Sequence, residues 1–351
     1  MTASRLVLVV VVAMAVLAAG CNPFADDESG IAIVSRDGEL RWLVSDTGSC
    51  GFGRPKWSGN GDYAVVLKGC SESIQLLGLS REGDELWTID FDSGSIASPN
   101  YMVSPDGHEL AVATYQHKPG RIDAFLHVGP PGGPLGEPVA SFGWDLPEQN
   151  FIPALWSYQD FAYTADGNYI VGLTSLDGTT SDFIVFDRAG GWSYEVIETS
   201  ADEVGPIAVA NDSLRVASPT GGTDGTVGLV VVDIEMGAWN VVADDLNWPS
   251  YIDWAPDGER VVVSSNQGAV IIDTSSGENT PLAGDYQWSE GVSWSATGEI
   301  AVAHQDVLSL ADIHGNHVRE IIDRGEGTLR NPQWSPDGTE ILVEVRPPYR
   351  D

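Results

Sequence analysis

The stretch "WSPDGTEILVEV" (residues 334–345) contains a strand end, a tight turn and a second strand. Pro336 presets the backbone at the first central turn position. Asp337 can hydrogen-bond its own backbone, and Gly338 accepts the positive φ that closes the turn. The alternation in "TEILVEV", rich in β-branched residues, then suits a strand packed between layers. The same phrase recurs as "WSGNGDYAVVLKG" from 57, "VSPDGHELAVATY" from 103, "YTADGNYIVGLTS" from 163, "WAPDGERVVVSSN" from 254 and "WSATGEIAVAHQD" from 294. A weaker copy, "VANDSLRVASPTG" from 209, falls where the spacing needs it, so the intervals run 46, 60, 46, 45, 40 and 40 residues.

That period matches a four-stranded propeller blade. Two further strand-like runs follow most copies, among them "SIQLLGLS" with "ELWTIDF" and "VGLVVVDI" with "AWNVVADD". The last copy supplies only two strands, while "IAIVSR" (31–36) and "ELRWLVS" (39–45) form two strands with no phrase before them. Paired, they make one blade and remove the open sheet edges that would template aggregation. The expectation is an all-β, seven-bladed β-propeller over residues 31–351, closed two strands to two. Six blades is the competing count, because the copy at 209 lacks both Trp and Gly.

At the N-terminus Arg5 precedes the apolar run "LVLVVVVAMAVLAAG", which meets Cys21. The run is short for a membrane span of about 20 residues and has the layout of a signal peptide. "LAAGC" resembles the lipobox of bacterial lipoproteins. That resemblance implies a signal peptide over 1–20, lipidation of Cys21, a tether over 21–30 and a protein exported and held at the membrane by its lipid; a plain membrane-anchoring helix is the alternative. Cys50 and Cys70 remain, and in an exported chain an even pair is read as one disulfide.

The formal charge is −34, from 17 basic and 51 acidic residues, and loss of Arg5 with the signal peptide makes it −35. Nucleic acid and anionic membrane surfaces are excluded as partners, since phosphate contacts need cations this surface lacks. Cationic ligands are favoured, and so acidic a surface suits a high-salt source.

The Trp-Ser-Pro-Asp-Gly repeats resemble those of the TolB-type β-propeller family over essentially all of residues 31–346. The resemblance implies that the strand leading into each phrase lines the central channel, with the phrase turns on one face. The connectors between blades would then share the opposite face, with the Cys50–Cys70 pair and the tether. Members of that family range from periplasmic binding partners to propeller domains attached to peptidases.

No GxSxG elbow, HExxH, phosphate loop or dinucleotide fingerprint is present. His314 and His317 stand three apart in a turn region and read as solvated turn residues. His304 beside Asp306 is an acid–base pair without a nucleophile. "TGGTDGTVG" (220–228) and "LDGTTSD" (176–182) lack calcium-loop spacing, so no metal and no cofactor are expected. Trp57, Trp254, Trp294 and Trp334 read as packing residues. The connectors are more telling: they hold Trp156, Tyr158, Trp248, Tyr251, Tyr286 and Trp288, interleaved with acids including Asp245 and Asp285. Aromatics among carboxylates suit cation–π and hydrogen-bond recognition of a cationic peptide; capping of the blade interfaces would use the same residues. The expected function is a monomeric, non-catalytic protein- or peptide-binding module at the cell envelope. The alternatives are a hydrolase, lyase or cyclase using channel carboxylates, and a carbohydrate-binding surface protein.

Overall fold

The computed structural model describes residues 28–347 other than 49, 93–98, 119–120, 146–160, 175–181, 200–202, 212, 222–226, 245, 247–248, 266–267, 285–288 and 317. The segment expected to be a signal peptide, and Cys21, lie outside the described residues. Every regular element within them is a strand, and the strands form seven antiparallel sheets. These are numbered here as blades 1 to 7 from residue 51 onward.

The phrase turns close as their residue types dictate. In blade 2 the N–H of Gly107 donates to the Ser104 carbonyl (2.9 Å), and that of His108 to the Asp106 carboxylate (3.0 Å). Ser104 adds two bonds: its hydroxyl donates to Asp106 (2.5 Å) and accepts from the N–H of Glu109 (2.9 Å). Ser335 and Asp337 repeat the arrangement in blade 7. Gly107 and Gly338 take φ of 75° and 67°, a region open to glycine without a Cβ clash.

Blade 7 closes the ring as the sequence predicts. Its strands run in the order Leu40–Asp46, Ser29–Ser35, Glu340–Arg346, Thr328–Trp334, with Ile31 opposite Glu344 and Ile33 opposite Leu342. The count of seven stands because blade 4 is complete despite its degenerate phrase. Its inner strand is split, around Gly205 and Pro206, into Glu203–Val204 and Ala208–Val209, both paired with Arg215–Gly221. The Ser218 hydroxyl fastens the interruption by donating to the carbonyls of Gly205 (3.1 Å) and Pro206 (3.2 Å).

The core is divided among the blade interfaces rather than pooled at a centre. Seven apolar clusters each join one blade to the next, and the cluster of Ile31, Ile33 and Leu342 with Phe52, Trp57 and Val66 joins blade 7 back to blade 1. All four phrase tryptophans are buried in these interfaces. The Nε1–H of Trp254 also donates to the Ala208 carbonyl of the preceding blade (2.9 Å), and that of Trp57 to the Gln333 carbonyl (3.2 Å). Arg81, Arg215 and Arg260 lie over Trp57, Trp254 and Trp294 at 5.1, 5.3 and 5.5 Å from the ring centres. On the same face arginines latch one blade to another: Arg188 to Glu109 (2.6 Å), Arg81 to Asp337 (3.0 Å), and Arg36 to Glu299.

On the opposite face Cys50 and Cys70 form the expected disulfide, with Cα atoms 4.2 Å apart. It extends the ladder of blade 1 beyond the Gly51–Gly69 pair. Closing a loop of this length contributes roughly 3 kcal/mol by the chain-entropy account.

Candidate functional site

The inner strands, Gly51–Trp57, Asn100–Val103, Phe161–Tyr163, Ala208–Val209, Tyr251–Trp254, Ser289–Trp294 and Thr328–Trp334, touch one another in cyclic order around the channel. Strand alternation sends each terminal aromatic into the interface behind it and turns the preceding residue the other way. In blade 5, Trp254 reaches back to blade 4, while the Asp253 carboxylate reaches forward and accepts the Trp294 N–H of blade 6 (2.7 Å). The equivalent residues are Lys56, Ser293 and Gln333 in blades 1, 6 and 7, against Met102, Ala162 and Ala208 in blades 2 to 4. One side of the ring is thus polar and the other apolar.

A central cavity of about 110 Å³ opens among these strands, lined by Lys56, Tyr251, Asp253 and Gln333 together with residues of blades 4, 6 and 7 such as Ala208, Val292 and Asn331. Asp253 is half-buried by area because it faces this cavity, yet the cavity is deep, and burial pushes its carboxyl up to about 6. The N–H groups of Trp294 and Trp254 and the Ser293 hydroxyl pull it partly back.

Toward the connector side the inner strands of blades 1 and 7 bulge. The pairing jumps between Gly53 and Lys56, and again between Arg330 and Gln333. Arg54 (φ 53°) and Asn331 (φ 48°) take left-handed conformations, each immediately before a proline. A proline disfavours helical conformations in the residue before it, and holding a non-glycine residue in this region costs on the order of 1 kcal/mol or more. Gly291 of blade 6 accommodates the second bulge: a Cβ there would lie 2.5 Å from Pro332 Cδ.

Between the two bulges sits Glu344, only 1% exposed. It accepts from Asn331 Nδ2 (3.0 Å) and pairs with Arg346 Nε (2.5 Å). Gly53 leaves room for it, since a Cβ at that position would stand 3.2 Å from its Oε2. Arg54 donates to Asn100 Oδ1 (2.7 Å), whose Nδ2 donates to the Tyr115 hydroxyl (3.3 Å). The Tyr101 hydroxyl donates to the Arg54 carbonyl, and burial pushes its pKa up. Across the mouth Arg330 pairs with Glu290 (3.2 Å). Blades 1, 2, 6 and 7 thus bring three groups of bonded polar side chains to the connector side of the channel.

Of the residues expected to bind a ligand, Trp156, Tyr158, Asp245, Trp248, Asp285, Tyr286 and Trp288 lie outside the described residues. Tyr251 is described, at the start of its inner strand, where it lines the cavity and packs against the core between blades 5 and 6. His304 ends its strand opposite Ser289, with Asp306 in the following turn. His314 is exposed in a turn held by Asp312. Among the described residues no group of three or more His, Cys, Asp or Glu gathers as a metal site would require.

Sequence reasoning missed Asp253, Glu344 and the two bulges. The signals were present in "GRPKW" (53–57) and "RNPQW" (330–334), where a proline two residues before the tryptophan interrupts the strand, and in the polar residue next to each tryptophan.

No protein-family model and no curated protein matches this sequence. Among solved structures the chain is similar to a protein described as TolB from Agrobacterium tumefaciens, at 17% identity and a TM-score of 0.51, covering 92% of this chain and 99% of that one. In fold, then, this is a TolB-like propeller of seven four-stranded blades closed by its own termini.

Proposed function

We propose that the protein is a non-catalytic propeller of the cell envelope, exported, lipid-anchored at Cys21, and binding a protein or peptide partner on its connector face as a monomer. The observation that carries this reading is the concentration of backbone strain and buried polar groups at the connector-side mouth, since such features persist where a surface must present side chains in a set geometry. The TolB-like fold and the disulfide, which belongs to an oxidising compartment, support the envelope location. The acidic surface favours a cationic segment, held by carboxylates and by the connector aromatics.

The test is capture of partners from detergent-solubilised membranes by the anchored protein, compared with a variant carrying Trp248→Ala and Trp288→Ala. The expected result is loss of capture with a nearly unchanged Tm, and capture by the parent protein that weakens steeply with salt. A large fall in Tm would assign these tryptophans to packing instead.

A further inference from the structure

We propose that the central cavity binds a small zwitterion of the amino-acid type, its ammonium group held against Asp253 and its carboxylate by Lys56 and the Gln333 amide. This site lies inside the channel and shares Tyr251 and Asn331 with the connector-side mouth, but it does not rest on partner binding there.

The chemistry follows from what surrounds Asp253. Every group that stabilises its carboxylate is a neutral donor: the N–H groups of Trp294 (2.7 Å) and Trp254 (2.9 Å) and the Ser293 hydroxyl. A carboxylate offers about four lone-pair sites, so capacity remains on the cavity side. A buried carboxylate without a cation is costly and is the natural seat for one. An acidic protein also focuses cations into a cleft with low-dielectric walls. Lys56 in the same lining opposes a simple cation and complements an anionic group. One acid, one ammonium, an amide and a phenol around about 110 Å³ therefore fit a molecule carrying both charges a short distance apart.

The ring explains why the pair occurs only here. Lys56 and Asp253 occupy the same position in blades 1 and 5, and Ala208 of blade 4 supplies a small apolar wall beside them. Lys56, Tyr251 and Asp253 are the titratable residues of the lining. Because Asp253 loses its proton only at about 6, ammonium binding should weaken in acid.

The experiment is calorimetry and thermal-shift measurement on the full-length protein in detergent with the standard amino acids. Acetate and methylamine serve as single-charge probes, and calcium chloride as the inorganic cation. Expected are binding of one or more amino acids, binding of acetate and methylamine at least about tenfold weaker, and a loss of affinity of about tenfold between pH 7.5 and pH 5. Asp253→Asn and Lys56→Met should each lower affinity by at least about tenfold. The wild-type pH profile gives an independent reading should either variant fail to fold. The proposal is overturned if no amino acid gives heat or a shift at about 10 mM, if binding is indifferent to pH and to both substitutions, or if calcium alone stabilises the protein.

Discussion

At the hairpin end the positive φ values of the phrase turns fall on glycine, as at Gly61, Gly107, Gly258 and Gly338, and the turns are closed by Ser and Asp side chains of the same few residues. At the connector end non-glycine residues take positive φ as well, at Arg54, Asn331 and Gln305; Arg54 finds its side-chain partner in the next blade and Asn331 on the neighbouring strand. The first end is assembled locally and then latched by arginines over tryptophans. The second stores strain and buried charge around the channel. Local turn chemistry and buried polar groups under strain are thus concentrated at opposite ends of the channel.

The contrast can be broken most forcefully at the hairpin end. Trp254→Ala removes a side chain 1% exposed, its bond to Ala208 and the stacking of Arg215, and should cost about 3–5 kcal/mol in chemical denaturation. A loss below about 1 kcal/mol would mean that the phrase tryptophans do not hold the blades together. At the connector end the largest effect should come from the disulfide. Cys50→Ala with Cys70→Ala should lower stability by roughly 3 kcal/mol while leaving a folded ring, because blade 1 retains its ladder and both of its interface cores.

Asp253 gives the pH signature of the channel. Its folded-state pKa of about 6 lies above the ordinary carboxylate value of 3.8, so the folded protein binds this proton more tightly than the unfolded chain. The group therefore favours folding most in acid, and its contribution falls as pH rises from about 4 through 6, by up to roughly 3 kcal/mol. The stability of Asp253→Asn, measured relative to wild type by urea denaturation, should improve over that interval. Asp337 is held well below the usual range, its burial outweighed by hydrogen bonds from Ser335, Thr339 and Arg81, so its contribution runs the other way and is lost in acid. The smallest effect should be at the surface latches. Breaking the half-exposed Arg188–Glu109 pair by Arg188→Ala should cost under about 1 kcal/mol and become negligible at high salt.

The fold was largely legible because its determinants are short-range. Proline, aspartate and glycine in "SPDG" specify a turn within four residues, and alternation specifies the strands around it. Blade 4 was the hard case, since its phrase lacks both Trp and Gly and its inner strand is interrupted, with Ser218 fastening the break. The site was much less legible. Glu344 looks in "ILVEV" like an outward-facing polar residue, and nothing nearby announces that Gly53, some three hundred residues upstream, leaves a slot for it. The aromatic connectors were conspicuous by composition, and of the eight residues singled out Tyr251 alone is among the described residues, where it lines the cavity.

By itself the sequence determined the repeat, the closure of the ring by its two ends and the pairing of Cys50 with Cys70, because each rests on local backbone preference, on a period that counts itself out along the chain or on the parity of the cysteines; the completeness of blade 4, and so the choice of seven blades over six, was settled by the structure. Only the tertiary structure decided that Lys56 and Asp253 share one cavity, that Asp253 keeps its proton to about pH 6, and that Arg54, Asn331 and Glu344 form the channel mouth. Those residues come from blades far apart in sequence, and their chemistry is set by burial and by neighbours that exist only once the ring has closed.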